Sequence, residues 1–447
     1  MLVFQVCSGP MATAPPPLSI LDLRGGNIDD ANAWRRHCGR SFGLDGQADA
    51  TAREIVEDVR SRGDVALLEW TRQLESRDLQ AESLEIPPDA WAAAHERLDA
   101  PIIRALEHAA ARIRAFHETQ RPVSTGLHHE GVRLQSRVDP LQRVAVYAPG
   151  GTAAYPSSVL MTAIPAGVAG VKEIVLLTPR PSDVVLAAAK IAGVHRVFQI
   201  GGAQAVAAVA FGTNTVPRVD KIVGPGNAYV TAAKRLVYGR CDIDSIAGPS
   251  EILVLADATA QPEIIAADLL SQAEHDRQAS AVLVTDHAPL IPAVCEALGS
   301  QIAGLPRKQI ALASLRDQGA AVLVANREAM IKVANDYAPE HLEILMECAD
   351  EVADEIRTAG AIFVGAFTPE AAGDYTAGPS HVLPTAGAAR FSSPLGVWDF
   401  VKYTSILKLD ERALRDQATS ITTLARAEGL EGHARAVEIR TSEEPSK

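Results

Sequence analysis

Apolar residues recur at intervals of three and four along residues 48–120, with charged residues between them. The stretches TAREIVEDVRSRGDVALLEW and AWAAAHERLDAPIIRALEHAAARIRAFHE show this spacing, which is typical of amphipathic helices. From about Arg143 the pattern changes to short β-branched runs separated by Ala-rich segments, as in RVAVY, EIVLL, RVFQI and KIVG. Strands that alternate with helices indicate βαβ units and a mostly parallel sheet.

The same alternation begins a second time near residue 250. We predict strands at ILVLAD, AVLVTD, QIALAS, AVLVAN, LEILM and AIFVG, and helices at IIAADLLSQAEHD, PLIPAVCEALGSQIAG and ADEVADEIRTAG. The sequence therefore predicts an α/β protein with two successive Rossmann-like, doubly wound units, a helical N-terminal region and a helical C-terminal tail. The expected boundaries are 1–17 for a disordered extension, 18–140 for the mainly helical N-terminal region, 141–245 and 246–373 for the two α/β units, and 374–447 for a Gly/Pro-rich loop followed by the tail.

The composition restricts the compartment and the partners. A formal net charge of -13 argues against a nucleic-acid or anionic-membrane partner, because either would need a basic face. The N-terminus lacks the pattern of a secretory signal, and no apolar run approaches the ~20 residues of a membrane span. The cysteines are scattered, odd in number and without CxxC spacing, which predicts a cytoplasmic protein with neither a disulfide framework nor a cysteine-type zinc site. They are Cys7, Cys38, Cys241, Cys295 and Cys348.

Two glycine-rich turns follow predicted strands. One contains Gly150 and Gly151 after RVAVY, and the other contains Gly201 and Gly202 after RVFQI. Backbone N–H groups and the helix dipole at such a turn can hold phosphate. Neither turn matches GxGxxG, so the spacing leaves open a dinucleotide site and a glycine required only for turn geometry. Asn227 in VGPGNAYV, taken alone, is an ordinary turn residue.

The segment NDYAPEHLE contains an adjacent acid and potential base. Pro339 is expected to begin a helix, since proline fits the first helical turn. Glu340 and His341 would then lie in that turn, where the helix dipole favours the carboxylate and keeps the imidazole neutral. This arrangement suits general acid–base chemistry, and a helix cap beside a surface histidine is an equally good interpretation of the segment alone.

Several nitrogen and oxygen donors could bind a metal. Gln272 and His275 are three apart on a predicted helix face in DLLSQAEHD, and Asp374 lies with His381 on a Gly/Pro-rich loop. His433 begins a tail helix shortly after Glu428. Gln272, His275, Asp374 and His433 form a donor set suited to zinc, although their spacing does not show that they converge. The absence of HExxH argues against a zinc peptidase.

The order of the longer motifs resembles that of the histidinol dehydrogenases. From about residue 20 to residue 440 these motifs are VYAPGGTAAYPSSVLM, IGGAQAVAA, GPGNAYV, IAGPSEILVLAD, DLLSQAEHD, NDYAPEHLE, GDYTAGPSHVLPT, SPLGVWDFVKYTS and GHARAVEIR. The chain departs from the family pattern at Gly167 and Gly396, where we expect Lys and a small polar residue, and neither is a matched functional position.

The resemblance implies a role for individual residues. The positions that match zinc ligands are Gln272, His275, Asp374 and His433. Those that match NAD contacts are Tyr147, Gln204 and Asn227. Those that match substrate contacts are Ser250, Gln272, His275, His341, Asp374, His381, Glu428 and His433. The catalytic pair corresponds to Glu340 and His341.

The reaction implied by the resemblance converts L-histidinol to L-histidine through L-histidinaldehyde, with two NAD, one water and a bound zinc ion. His341 would accept protons in both oxidations, and Glu340 would activate the water. The resemblance also implies a homodimer in which the tail of one chain, with Glu428 and His433, completes the site of the other. Alternative interpretations are a related dehydrogenase of another small alcohol, a zinc-dependent hydrolase, and a catalytically inactive binding protein.

Overall fold

The computed structural model describes residues 18–26, 28–39, 46–150 and 154–442. The predicted extension 1–17 and Gly151 lie outside these residues. In chain order the strands are β1 (Ser19–Asp22), β2 (Glu85–Ile86), β3 (Thr125–His129), β4 (Val132–Pro140), β5 (Arg143–Tyr147), β6 (Glu173–Leu177), β7 (Arg196–Phe198), β8 (Lys221–Val223), β9 (Asp242–Ile243), β10 (Glu251–Ala256), β11 (Ser280–Thr285), β12 (Ala320–Leu323), β13 (His341–Leu345), β14 (Ala361–Val364) and β15 (Val401–Leu409).

The α-helices follow the same order. They are α1 (Ile28–Cys38), α2 (Gly46–Arg62), α3 (Asp64–Glu75), α4 (Pro88–Arg97), α5 (Ala100–Glu118), α6 (Pro156–Ala169), α7 (Asp183–Ala192), α8 (Gly202–Phe211), α9 (Ala228–Val237), α10 (Pro262–Ala273), α11 (Leu290–Ile302), α12 (Lys308–Gln318), α13 (Arg327–Tyr337), α14 (Ala349–Glu355), α15 (Glu370–Tyr375), α16 (Glu411–Ala427) and α17 (Glu431–Thr441). Short 3-10 helices occur at Ala81–Ser83, Ala388–Arg390 and Val397–Phe400.

The described strands form three sheets. The first has the order β2-β7-β6-β5-β8-β9 and is parallel except for β2, which pairs antiparallel with β7. The second has the order β1-β12-β11-β10-β13-β14 and is parallel throughout. A third, antiparallel sheet joins β15 to β4 and β3. The prediction of a mixed α/β fold with parallel sheets is confirmed.

Both large sheets are covered by helices because their strands are apolar on both faces. In β5, Val144 and Val146 pack into one hydrophobic core while the alternating Ala145 packs into another. In β10, Val254 and Leu255 likewise face two different cores. The runs RVAVY, EIVLL, RVFQI and KIVG are confirmed as strands, and the helical pattern of residues 48–120 corresponds mainly to α2–α5.

The prediction of a strand at QIALAS is wrong. These residues lie in α12, where Ala311, Ser314 and Leu315 are buried on one side. Their spacing of three and four fits a helix, and a short apolar run does not by itself distinguish a helix from a strand. In the part of the chain that the structure describes, no helix combines the length and the apolar character needed to cross a membrane.

Candidate active site

The candidate site lies at the amino edge of the second sheet. Glu251 begins β10 and His341 begins the neighbouring β13, with Ile252 and His341 paired in register. The predicted helix at Pro339 is wrong. Helix α13 ends at Tyr337, Ala338 adopts a left-handed conformation, and the chain then enters β13. The apolar run that follows Glu340 is drawn into the sheet by pairing with β10 and β14.

Glu340 and His341 are both buried, and each contacts the backbone of Glu251. The Glu251 N–H donates to Glu340 Oε2 at 2.9 Å. His341 Nδ1 lies 3.0 Å from the Glu251 carbonyl oxygen. Because a carbonyl oxygen only accepts, Nδ1 carries the imidazole proton and Nε2 is left as a proton acceptor. One residue therefore fixes the position of the carboxyl group and the tautomer of the histidine.

Burial sets the protonation of this pair. Burial lowers the pKa of His341 to about 4, so the imidazole is neutral near pH 7. The neutral histidine agrees with the prediction, but its main cause is desolvation instead of a helix dipole. Burial also raises the pKa of Glu340 well above its usual value, and the nearby charge of Glu251 adds to the increase. Glu340 is consequently a stronger base than an exposed glutamate.

His341 also belongs to a group of potential metal ligands with Glu370 and Asp374. One donor atom from each of the three lies within 4.8 Å of the other two. Glu370 is buried, and its Oε2 accepts a hydrogen bond from Ser271 Oγ at 3.1 Å. Its Oε1 has no hydrogen-bond partner among the described residues and lies 3.7 Å from His341 Nδ1. Burial, followed by the charge of Asp374, raises the pKa of Glu370 well above its usual value.

Gln272 and His275 lie at the end of α10, which returns to this edge of the sheet. Gln272 is in the last turn and is fully buried, and neither atom of its amide has a partner among the described residues. His275 lies just beyond the helix, where its N–H donates to Gln272 O at 3.1 Å. The charge of His275 contributes to lowering the pKa of His341. A buried amide without a partner costs free energy, so Gln272 fits a ligand for a metal.

Asp374 lies in the short helix α15, not on the loop that the sequence predicts. His381 follows it, with Nδ1 3.2 Å from the Asp374 carbonyl oxygen and 3.7 Å from its carboxylate Oδ1. Burial lowers the pKa of His381. Ser250, the residue before β10, is half-buried, and its carbonyl oxygen accepts from Ser280 N–H at 3.0 Å. The structure thus assembles most of the predicted metal and substrate positions around β10 and β13.

The two predicted residues of the tail are placed differently. Glu428 is the C-cap of α16 and His433 lies in α17, and both are exposed. Helix α17 packs against α16. Neither side chain forms a hydrogen bond or an ion pair with the parts of the chain that the structure describes. Within one chain, therefore, they are not joined to the cluster at β10 and β13.

The predicted cofactor residues lie at the carboxyl edge of the first sheet. Tyr147 ends β5, and its hydroxyl oxygen accepts from Gly202 N–H at 3.1 Å. Gln204 lies in the first turn of α8, after β7. Asn227 follows β8 and caps α9, since its Oδ1 accepts from the N–H groups of Tyr229 and Val230 at 3.1 Å each. The glycine-rich turn of Gly201 and Gly202 and the turn that contains Asn227 therefore lie at the same edge of the first sheet.

Comparisons with known proteins define the family. The sequence profile of the histidinol dehydrogenase family matches residues 41–441. A histidinol dehydrogenase of Nitrosomonas europaea is 50% identical over 403 residues, covering 89% of this chain and 93% of that protein. The histidinol dehydrogenase of Cupriavidus pinatubonensis is 48% identical over 440 residues, covering 96% and 99%. The crystal structure of the Elizabethkingia anophelis histidinol dehydrogenase has a TM-score of 0.88 at 34% identity, covering 95% of this chain and 98% of that one.

The chain belongs to the histidinol dehydrogenase family. Membership confirms the prediction that the protein is an enzyme, a dehydrogenase, and excludes the interpretation as a hydrolase. In this member of the family, further acidic residues support the cluster. Glu343 on β13 accepts from Glu370 N–H at 2.8 Å through Oε1 and lies beside Asp268 on α10. Burial, followed by the charge of Asp268, raises the pKa of Glu343 to about 9.

No role was predicted from the sequence for these supporting residues. Glu343 and Glu251 are single acidic residues within otherwise apolar strand runs, HLEIL and EILVLA. A charged residue inside a buried strand requires a partner or a function, so this pattern is a signal that can be found. Glu370 has no comparable signal, because TPEAAGDY has the composition of an ordinary loop.

Proposed function

We propose that the protein oxidises L-histidinol to L-histidine through L-histidinaldehyde, reducing two NAD, as the last two steps of histidine biosynthesis in the cytoplasm. The observation that carries the proposal is the buried pair of Glu340 and His341 in a chain of this family. A neutral imidazole with an unprotonated Nε2 stands beside a carboxyl group of raised pKa. These are the two bases that an alcohol oxidation and an aldehyde hydration require.

The two residues divide the proton transfers. His341 Nε2 accepts the hydroxyl proton of histidinol as hydride leaves its carbon for the first NAD. Glu340 accepts a proton from the water that adds to the aldehyde. After His341 has released its first proton to water, Nε2 accepts the hydroxyl proton of the hydrate as the second hydride leaves. The Glu251 carbonyl keeps Nδ1 protonated throughout and thus holds the imidazole in one orientation. Ser250, His381 and Glu428 would hold the substrate.

The donor set around α10 and α15 fits a zinc ion. We assign Gln272, His275 and Asp374 as ligands, with His433 as the fourth. The support from this chain is the buried, unpartnered amide of Gln272 and the closeness of Asp374 to His341. Bound zinc would act as a Lewis acid that orients the imidazole and amino group of the substrate.

The NAD site is assigned to the first sheet. In each large sheet the first strand of the repeated unit is central, and the following strands leave it on opposite sides. We interpret both as Rossmann-like units, with 141–245 and 246–373 as their ranges and edge strands contributed by the N-terminal region. In such sheets ligands bind where the strand order reverses, which in the first sheet is between β5 and β8. Tyr147 is the last residue of β5, and Asn227 lies in the turn after β8.

The active site is proposed to be shared between two copies of the chain. Exposed apolar side chains on the tail, Leu424, Leu430 and Ile439, support an interface there. The side chains of Glu428 and His433 form no hydrogen bond or ion pair with the described residues of their own chain. A mixture of His275→Asn and His433→Asn chains tests this. Co-refolded heterodimers contain one intact site, so roughly a quarter of wild-type activity should return with random pairing. Heterodimers without activity would mean that the tail acts within its own chain.

NADH absorbance tests the function directly. The purified protein with zinc, NAD and limiting L-histidinol should produce two NADH for each histidinol and yield L-histidine. A chain that reduces NAD only with another small alcohol would identify the related dehydrogenase instead. No NADH with either substrate, in protein shown to be folded and zinc-loaded, would contradict the proposed function.

A further inference from the structure

Gln204 places an unpaired hydrogen-bond acceptor at the proposed NAD site. The residue is 1% exposed, and its Oε1 has no hydrogen-bond partner among the described residues. The same oxygen lies against Gly202, since a Cβ built on Gly202 would approach it to 2.4 Å. A buried amide oxygen without a partner is costly, so a ligand that donates a hydrogen bond would satisfy it.

Glu75 determines which end of the Gln204 amide is left unpaired. Glu75 ends α3, and its Oε1 accepts from Gln204 Nε2 at 3.1 Å. An ionised carboxylate only accepts hydrogen bonds. The amide nitrogen must therefore face Glu75, and the amide oxygen must face away from it. An exchange of the two amide atoms would bring oxygen against oxygen.

The Glu75 carboxylate is itself held in place. Its Oε2 accepts from Arg77 Nη1 at 3.1 Å, and the two side chains are only 16% and 11% exposed. Arg77 Nη1 also donates to the carbonyl oxygen of Gln199 at 2.8 Å. Gln199 precedes α8, so this contact ties the carboxylate to the turn in front of Gln204.

A hydrogen-bond donor also contacts Gly202, the residue against which the unpaired acceptor lies. The Tyr147 hydroxyl accepts from Gly202 N–H and makes no other hydrogen bond among the described residues, which leaves its own proton available. Burial raises the pKa of Tyr147 to about 12, so the hydroxyl remains protonated. A hydroxyl group of a ligand can donate to Gln204 Oε1 and accept from Tyr147 at the same time. The riboses of NAD supply such hydroxyl groups.

We propose that Glu75 is a positioning residue for the cofactor, which fixes the Gln204 amide so that its oxygen receives a ribose hydroxyl of NAD. The inference rests on the proposed function for the identity of the cofactor. It adds a residue from the N-terminal helical region to the cofactor site. Glu75 acts through Gln204 and does not need to contact NAD.

Three variants test the inference. Glu75→Gln keeps the size of the side chain but allows either amide orientation at Gln204, so the KM for NAD should rise by up to roughly tenfold, the upper end for loss of one neutral hydrogen bond. The KM for histidinol and kcat at saturating NAD should stay within about twofold. The control Glu69→Gln removes a carboxylate from the same helix, one that pairs with Arg62 away from Gln204, and should behave as the wild type.

The third variant exchanges the two residues, Glu75→Gln with Gln204→Glu. The new Gln donates to the new Glu, which again presents an oxygen to the cofactor, so most of the NAD affinity should return. A merely structural role would not predict this recovery. The inference is overturned if Glu75→Gln leaves the KM for NAD unchanged, if it raises both KM values equally, or if the exchange recovers nothing.

Calorimetric titration with NAD separates this inference from the proposed function. If the wild type binds NAD but does not oxidise histidinol, the proposed function fails, and the affinities of the three variants still decide the role of Glu75. If the wild type binds no NAD, both are overturned.

Discussion

The buried ion pair between Lys234 and Asp244 should stabilise the turn of residues 224–227 that leads to Asn227. The side chains are 2% and 4% exposed. Lys234 Nζ donates to the Gly224 carbonyl oxygen at 3.0 Å, and Asp244 Oδ2 accepts from Gly224 N–H at 2.6 Å. Both backbone polar groups of Gly224, its N–H and its C=O, are therefore held by the pair. Gly224 has a φ of +114°, and a Cβ there would lie 2.3 Å from the Tyr147 carbonyl oxygen.

The expected magnitude follows from this burial. Lys234→Met leaves the Asp244 carboxylate buried without a cation, and removing one partner of a buried pair costs about 3–5 kcal/mol of the free energy of unfolding. At about 2–4 °C per kcal/mol for a unit of 150–250 residues, the melting temperature should fall by at least about 6 °C. The double variant Lys234→Met with Asp244→Asn removes both charges. Its loss of unfolding free energy should therefore be smaller than the sum of the two single losses, by about 1–3 kcal/mol.

Guanidinium unfolding followed by circular dichroism measures the free energy of unfolding of the four proteins of this cycle. NAD titration measures whether the turn still supports cofactor binding. Each single variant should also bind NAD more weakly, because Asn227 depends on the clamped turn. Losses that add within about 0.5 kcal/mol would refute the reasoning, since they would mean that the two side chains do not interact. Asp49→Asn breaks the half-buried pair between Asp49 of α2 and Arg235, the neighbour of Lys234 on α9, and should cost less, about 1 kcal/mol.

The remaining predictions concern the cluster at β10 and β13. His275→Asn should lower zinc content and turnover together, and an unchanged zinc stoichiometry by elemental analysis would remove His275 from the ligands. Glu340→Gln should slow aldehyde oxidation more than histidinol oxidation. Loss of His341 should lower the rates of both oxidations by about 10² to 10⁴. Equal losses of rate in the glutamine variant would contradict the division of roles. Because the pKa of Glu343 rises from 4.5 to about 9 on folding, the folded chain retains a proton that the unfolded chain releases, and the stability of the metal-free protein should fall as the pH rises through this range. Glu343→Gln should flatten that dependence in urea midpoints, and parallel curves for variant and wild type would refute it.

The parallel strands could be predicted because their signal is local. Runs such as RVAVY and EILVLA are buried on both faces, and a continuous apolar run of that length carries the information within itself. The helix α12 and the start of β13 could not be assigned in this way. At QIALAS two periods fit the same few residues. At Glu340 the preceding proline favours a helix, but the pairing of β13 with β10 and β14 decides the conformation, and those strands are distant in sequence.

The candidate site could be predicted as a set of residues but not as an arrangement. The sequence suggests Gln272, His275 and Asp374 as donors, and only the structure brings α10 and α15 to one edge. The protonation states of the site residues could be predicted from the sequence even less well than their arrangement. The neutrality of His341 follows from burial, and the tautomer follows from a contact with Glu251, ninety positions away in the chain.

The geometry also suggests how the proposed NAD site and the cluster at β10 and β13 are held at a fixed distance from each other. Asp244, which clamps the turn after β8, is followed by a short segment that leads directly to Ser250 and to Glu251 at the start of β10. That segment is fixed on both sides, since Ala247 O accepts from Thr231 Oγ1 at 3.3 Å and Gly248 N–H donates to Thr385 Oγ1 at 2.9 Å. A hydride can pass to NAD only if the cofactor and the substrate are held at contact distance. This short connection is tied to α9 at one end, and at the other end it holds His341 through Glu251. It therefore gives the two sheets little freedom to move apart. Changes at Asp244 should consequently affect both the binding of NAD and the orientation of His341.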